Sequence, residues 1–553
     1  MRHSISLVLA TLLLAGCGVP DKPQGLGTAM PETAILSAPA ATAEELAQAI
    51  RSGQLTAEAG VQAYLARIQA LDRSGPRLQS IIAINPQALA EARALDAEAA
   101  QGRFKGPLHG VPVLIKDNVE TRELATTAGS LALIDNHTGR DAPIIARLRE
   151  QGAIILGKTN LSEWANFRAQ RSISGWSGVG GQTRNPHSLD RTPCGSSAGS
   201  GSAIAAQLAP LAIGTETNGS ITCPASMNGV VGFKPTVGLL SRTHIVPISS
   251  TQDSAGPMTR SVRDAALMLN AMAGSDEQDP ATALADDKRE NYVHALSRGV
   301  EGMRIGVFRW AVGKHPAVTA AFNQAMAVLE AQGAVLVDID GFQPAQVLWE
   351  SGETLLRNEF KHTLNLYLAN AAEGVTVRSL SALIAFNDEH ADRELALFDQ
   401  SLLIASETSP AVTDPAHLEM VAAISKGARE DGIDALLDQH KVEVVVMPTG
   451  RPPSPLDVAF TSRGGGPPIG AGWLAAMAGY PILSVPMGSY RGLPLGLSIM
   501  GTAWSDGTVL AVGHAYETAA GVELVPTFAS GPFEHVETAD AMKPYRPSGA
   551  SGQ

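Results

Sequence analysis

Short apolar runs recur along the chain from Gly106 onward, separated by stretches with helical periodicity, and this alternation is the strongest constraint on its fold. Val111 to Lys116, Ala153 to Leu156 and Ala212 to Thr215 read as strands, as do Met303 to Phe308, Val335 to Ile339, Val442 to Met447, Ile482 to Pro486 and Leu495 to Met500. Helices are predicted over Ala142 to Gln151, Ser197 to Leu208 and Val318 to Gln332. Strands that alternate with helices need crossover connections, so an α/β body with a mixed, largely parallel sheet is expected. Ahead of it, Thr42 and Glu45 form a capping box for a helix to about Ile50. Thr56 caps a second helix carrying Val61, Tyr64, Leu65, Ile68 and Leu71 at helical spacing, and Asn85-Pro86 opens a third to about Ala100. Ser275 to Tyr292 is polar and reads as a surface connection.

The first residues read as an address to be kept out of the fold. Arg2 and His3 precede an apolar core from Ile5 to Leu14, too short to span a bilayer and ending in Leu14-Ala15-Gly16-Cys17. Those last four residues resemble the bacterial lipobox, in which the cysteine, here Cys17, is acylated and becomes the new N-terminus. Gly18 stands where an aspartate would retain such a protein in the inner membrane, which leans towards the outer membrane. Residues 1–17 are thus expected to be the signal and 18–41, rich in Pro, Gly and Ala, a flexible tether. A catalytic body follows over 42–525, and 526–553 form a polar tail. With 44% apolar residues the body has ample material for a core, and a formal charge of −13 argues against nucleic acid as a partner. A membrane is expected as a partner only through the lipid.

Two glycine turns carrying serines and one lysine in an apolar run bear the chemistry. The turns are Pro193-Cys194-Gly195-Ser196-Ser197-Ala198-Gly199 and Gly214-Thr215-Glu216-Thr217-Asn218-Gly219-Ser220-Ile221, and the lysine lies in Val113-Leu114-Ile115-Lys116-Asp117-Asn118. A serine hydroxyl is a weak nucleophile at neutral pH and needs a base and stabilisation of the oxyanion. A buried lysine can serve as that base because desolvation disfavours its charged form. Small residues around Ser220 let backbone N–H groups crowd round a carbonyl oxygen. In this order, from about Thr42 to about Ala520, the blocks resemble the amidase signature family. Lys158 to Arg168, Gly180 to Pro186 and Asn228 to Thr236 are similar to its peptide amidase branch, and Met477 to Pro481 with Gly492 to Gly496 are also of the family type.

That resemblance implies a single domain built round a central twisted mixed sheet flanked by helices. It implies catalysis by Lys116, Ser196 and Ser220, with Ser196 on a cis peptide bond, and an oxyanion hole from the N–H groups of Thr217, Asn218, Gly219 and Ser220. Ala165 and Asn166, with Ser196, would contact substrate, and Ser197 would support the network. No metal or organic cofactor is implied. Many relatives carry Gly-Gly-Ser where this chain has Asn218-Gly219-Ser220, a change expected to affect pocket shape more than chemistry.

Other patterns compete with this reading. Gly152 to Thr159 fits the Walker A expression, but Ala153 to Leu156 favours a buried strand over the irregular turn a phosphate needs. Gly195-Ser196-Ser197-Ala198-Gly199 also fits a nucleophile elbow centred on Ser197, which needs a histidine; His244, His315, His362, His390 and His440 are available, none in a distinctive motif. No Cys or His spacing resembles a metal site. Cys194 and Cys223 are expected to be buried thiols, with a bridge in an oxidising compartment as the alternative.

The expected activity is release of ammonia from carboxamides, foremost C-terminal amides of peptides or amino-acid amides. The alternatives are a general aliphatic or aryl amidase, the glutaminase subunit of a tRNA-dependent amidotransferase and, from another class, a non-catalytic peptide-binding lipoprotein.

Overall fold

The computed structural model describes residues 42–456 and 469–531. Residues 1–41, with the signal, the tether and Cys17, lie outside the described residues, as do most of those expected to form the tail.

Among the described residues, eleven strands of one sheet organise the body. They are β1 (Ile81–Ile84), β2 (Pro112–Lys116), β3 (Ile154–Thr159), β4 (Leu211–Glu216), β5 (Val231–Lys234), β6 (Ser254–Thr259), β7 (Arg304–Phe308), β8 (Val335–Ile339), β9 (Val444–Pro448), β10 (Ile482–Tyr490) and β11 (Leu493–Met500). Their order across the sheet is β1-β3-β2-β4-β6-β5-β10-β11-β9-β7-β8. Every residue of β2, β3 and β4 is buried. Helices covering both faces explain why these strands read as continuous apolar runs without alternation.

The sheet is mixed, as expected, but it is not largely parallel. Four of the ten pairings are parallel, grouped as β3-β2-β4 and β9-β7-β8; the other six, β1-β3 at one edge and the run from β4 to β9 through the middle, are antiparallel. Three of the six antiparallel pairings involve β5 and β6, which sequence periodicity misses: Gly232, Gly256 and Pro257 give them little intrinsic strand character. They are held by their neighbours in the ladder.

Local signals place the helices well. The helix Ala43–Arg51 opens on a complete capping box, with the Glu45 N–H donating to Thr42 Oγ1 at 3.1 Å and the Thr42 N–H to Glu45 Oε2 at 2.8 Å. Gly152 to Thr159 is no phosphate loop: Ile154–Thr159 is strand β3, and the Lys158 ammonium is buried 3.1 Å from the Asp117 carboxylate. The polar segment after Ser275 is more than a surface connection, since Thr282 and Tyr292 are buried and Asp279 pairs with Arg242 at 2.7 Å. Thr527 and Phe528, expected in the tail, donate hydrogen bonds to the His187 and Pro186 carbonyls at 3.3 and 2.9 Å.

The helices Gln346–Ala369, Leu380–Glu389, Ser401–Glu407 and Pro415–Ala428 were not apparent from sequence. The first three form an apolar cluster with the chain after β3, packing Phe360, Leu364, Leu380 and Leu403 against Trp164 and Phe167. This places them beside the serine turns. No helix of the described residues is long and apolar enough to cross a membrane.

Candidate active site

Strand β2 delivers Lys116 at its last position, with no exposure to solvent. The Nζ lies 2.8 Å from Ser196 Oγ and donates to the Thr215 hydroxyl at 2.7 Å and carbonyl at 3.2 Å. Burial lowers the pKa of Lys116 from 10.5 to about 7, against the pull of the Asp253 and Glu216 carboxylates in the other direction. This environment therefore makes a neutral amine next to a serine hydroxyl accessible near neutral pH.

Ser196 follows Gly195 through a cis peptide bond and is fully buried. The helix Ala198–Ala205 runs from this turn into the core, and Gly199 lets it pass close to β3: a Cβ there would sit 2.4 Å from the Asn160 carbonyl oxygen. Ser197 has both sides of its hydroxyl taken up by Thr215, donating to the carbonyl at 3.1 Å and accepting from the N–H at 3.2 Å. Its own N–H donates to the Ser220 carbonyl at 3.1 Å, so Ser197 stitches the two serine turns together. Among the described residues no histidine hydrogen-bonds to Ser196, Ser197 or Ser220, so nothing there supports an elbow centred on Ser197.

Ser220 sits between β4 and the helix Thr222–Asn228, in a turn that Gly219 makes with φ +85°. That backbone region suits glycine, and open space adjoins the position. The Glu216 carboxylate pins the far side of the turn, accepting from the Ile221 and Thr222 N–H groups at 2.7 and 2.9 Å. The Thr217 hydroxyl donates to Asp253 at 2.5 Å. Among the described residues, the backbone N–H groups of Thr217, Asn218, Gly219 and Ser220 donate to no other protein group.

A cavity of about 390 Å³ opens over Ser220. Thr217, Asn218 and Gly195 line it on the serine side, and Ala165 and Asn166 line it as well. Ser196, also expected to contact substrate, is buried behind Gly195 and does not line this cavity. The turn Glu163–Asn166 presents its wall through three successive left-handed residues, Trp164, Ala165 and Asn166, with φ of 49°, 52° and 70°. Asn166 Oδ1 accepts from the Ser172 hydroxyl at 2.6 Å.

Arg168, just beyond this turn, is a residue whose role sequence reasoning missed. It is buried between two carboxylates, Glu163 at 2.7 Å and Glu394 at 3.5 Å, with its guanidinium 3.9 Å from the centroid of the Phe398 ring. Burial and the nearby Glu394 push the Glu163 carboxyl well above its usual range. Thr215, the second partner of Lys116, lies inside the turn that carries Ser220 and could have been suspected on that ground. Asp253 and Glu394 carry no local signal.

Cys194 and Cys223 form a disulfide, which corrects the expectation of free thiols. The two residues flank the serine turns, and the fold brings their Cα atoms to 6.0 Å, a closeness that 29 residues of sequence separation do not reveal.

Comparisons with known proteins give the chain its family. The family model described as Amidase matches residues 59–510. A probable amidase of Arabidopsis thaliana is 36% identical over 502 residues, covering 88% of this chain and 91% of its own. One component of the glutamyl-tRNA(Gln) amidotransferase of Moorella thermoacetica is 34% identical over 503 residues, 86% of this chain and 96% of its own. The crystal structure of a peptide amidase from Stenotrophomonas maltophilia superposes with a TM-score of 0.84 at 47% identity, covering 88% of this chain and 98% of that one. A match over most of the chain, joined to a buried lysine beside a serine and a second serine facing a cavity, leads to one assignment: the chain belongs to the amidase signature family and is an amide hydrolase.

Proposed function

We propose that this amide hydrolase works through a Ser-Ser-Lys relay and acts on the C-terminal carboxamides of peptides or on amino-acid amides. The observation that carries the mechanism is the 2.8 Å approach of a fully buried Lys116 Nζ to Ser196 Oγ. Neutral Lys116 takes the proton of Ser196, Ser196 takes that of Ser220, and Ser220 Oγ attacks the amide carbonyl. The N–H groups of Thr217, Asn218, Gly219 and Ser220 receive the oxyanion; removing one such donor costs about 10²–10³ in rate. The proton returns through Ser196 to the leaving nitrogen, ammonia departs, and water hydrolyses the acyl-serine.

The substrate class is supported by the likeness to the Stenotrophomonas peptide amidase and by a cavity of about 390 Å³ walled by Ala165, Phe167, Ile248, Leu356, Leu402 and Met477. Resemblance to the amidotransferase component favours a second reading, a glutaminase partner in tRNA-dependent amidation. The Cys194–Cys223 bridge weighs against that cytosolic role, because disulfides persist in oxidising compartments. The bridge and the lipobox-like Leu14 to Cys17 together support an exported lipoprotein anchored through Cys17 and facing the periplasm, with the outer membrane as its site.

Ammonia release from a panel of peptide amides, internal peptides and simple amides tests the substrate reading. Preference for simple amides alone, with peptide amides untouched, would overturn it. Mapping a fluorophosphonate adduct by mass spectrometry tests the mechanism: the label is expected on Ser220 and absent in Ser220→Ala. Label on Ser197, with Ser220→Ala still active, would replace the relay.

A further inference from the structure

Among the described residues that line the cavity over Ser220, one carries a formal charge: Glu353. It lies on the helix Gln346–Ala369, next to Gly352, which also lines the cavity. Gly352 packs so tightly on Met477 that a Cβ there would meet the Met477 methyl at 2.6 Å, which holds the helix against this wall. The Glu353 side chain keeps 49% of its surface in solvent, so it stands at the mouth while Ser220, 9% exposed, lies at the floor. Its nearest cationic partner is Arg357, one helical turn further on, and that contact is loose at 3.8 Å. The carboxylate therefore has capacity for a second cation.

We infer that Glu353 is a specificity-determining residue that favours amides whose acyl portion carries a positive charge. This rests on the reading of the cavity over Ser220 as the substrate site. The leaving amide nitrogen is uncharged, so a cation must belong to the acyl side. Two sources share this chemistry: the ammonium or guanidinium of a lysine or arginine side chain, and the free α-ammonium of an amino-acid amide. Asn166, Gln170, Thr217 and Asn218 line the cavity as uncharged polar groups, so the Glu353 carboxylate sets the sign of its field: a cation gains there while a carboxylate-bearing substrate is disfavoured. Because the group is half exposed, the gain is modest, in the range of an exposed ion pair.

The test is the ratio of kcat/KM for cationic over isosteric neutral amides in the wild type, Glu353→Gln and Glu353→Lys. Lysine against norleucine at the C-terminal amide, each with a free and an acetylated α-amine, separates the two sources of charge. In the wild type the ratio should exceed one and fall with added salt, since the Debye length shrinks from about 10 Å at 0.1 M to about 3 Å at 1 M. Glu353→Gln should lower the ratio about 2- to 5-fold, mainly through KM, and Glu353→Lys should lower it further. An equal change for cationic and neutral amides, or a wild-type ratio indifferent to salt, would overturn the inference. If peptide amides are not turned over but simple ones are, the substrate class fails on its own. The charge ratio is then read on 4-(aminomethyl)benzamide against benzamide, where a ratio unaffected by Glu353→Gln would still sink the role of Glu353.

Discussion

Replacing Lys116 by methionine separates the lysine's proton from most of its bulk. In the unfolded chain this lysine holds its proton up to about pH 10.5, whereas in the folded protein it releases it near pH 7. Between those values the unfolded state binds the extra proton, so the wild type gains stability as pH rises through this window, by about 1.4 kcal/mol per pH unit. Below about pH 7 both states are protonated and the dependence ends, leaving a cost of about 5 kcal/mol for burying the charge. Lys116→Met also loses the contacts to Ser196 and Thr215, but that loss does not vary with pH in the same way. The informative quantity is therefore the slope of the stability difference. Chemical denaturation of both proteins at pH 6, 7, 8 and 9 should show a difference flat up to about pH 7 and then growing in favour of the wild type. The same proton governs the rate. At pH 6 about a tenth of Lys116 is neutral, so turnover should sit about tenfold below its alkaline plateau and rise through pH 7. A stability difference without slope above pH 7, or an active Lys116→Met variant keeping the same rate limb, would refute Lys116 as the neutral base.

Ser196→Ala should reduce ammonia release severely yet leave residual activity, whereas Ser197→Ala should cost less; the reverse order in kcat would contradict the relay. Because relay members act as a unit, Ser196→Ala combined with Ser220→Ala should be little worse than Ser220→Ala alone. Cys17→Ser should move the protein from the membrane fraction to the soluble one, and unchanged sedimentation after a carbonate wash would count against acylation there. Arg168→Met leaves Glu163 and Glu394 facing each other in a buried space, so it should lower stability by about 3–5 kcal/mol and raise KM through the Ala165–Asn166 wall. An unaltered denaturation midpoint would show that this cluster does not brace the turn.

The parts of this fold that sequence makes legible are those whose burial is complete or whose caps are local. Strands β2, β3 and β4 announce themselves because helices on both faces demand apolar residues at every position. Thr42 and Thr56 mark helix starts because their hydroxyls act within three residues. Strand β6, Ser254–Thr259, carries almost no such signal, since its place is set by pairing with β4 and β5. The helix Gln346–Ala369 hides its periodicity by burying Asn358 and Glu359 among its apolar residues. At the site, motif order singled out Lys116, Ser196 and Ser220, but the 2.8 Å approach of Lys116 Nζ to Ser196 Oγ needed the fold. Arg168 and Glu394 stand 226 residues apart, and only the fold makes them partners.

The disulfide between Cys194 and Cys223 bears on how any preparation of this enzyme is to be judged. One half-cystine stands two residues before Ser196 and the other three after Ser220, so the bridge closes a loop that contains both serines and the whole of β4. Chain made in a reducing host would carry the same sequence without that fastening. An inactive sample from such a source would speak first about the oxidation state of two sulfurs and only then about the choice of substrate. Thiol titration thus belongs ahead of any substrate survey, and secretion to an oxidising compartment is the production route consistent with the folded site.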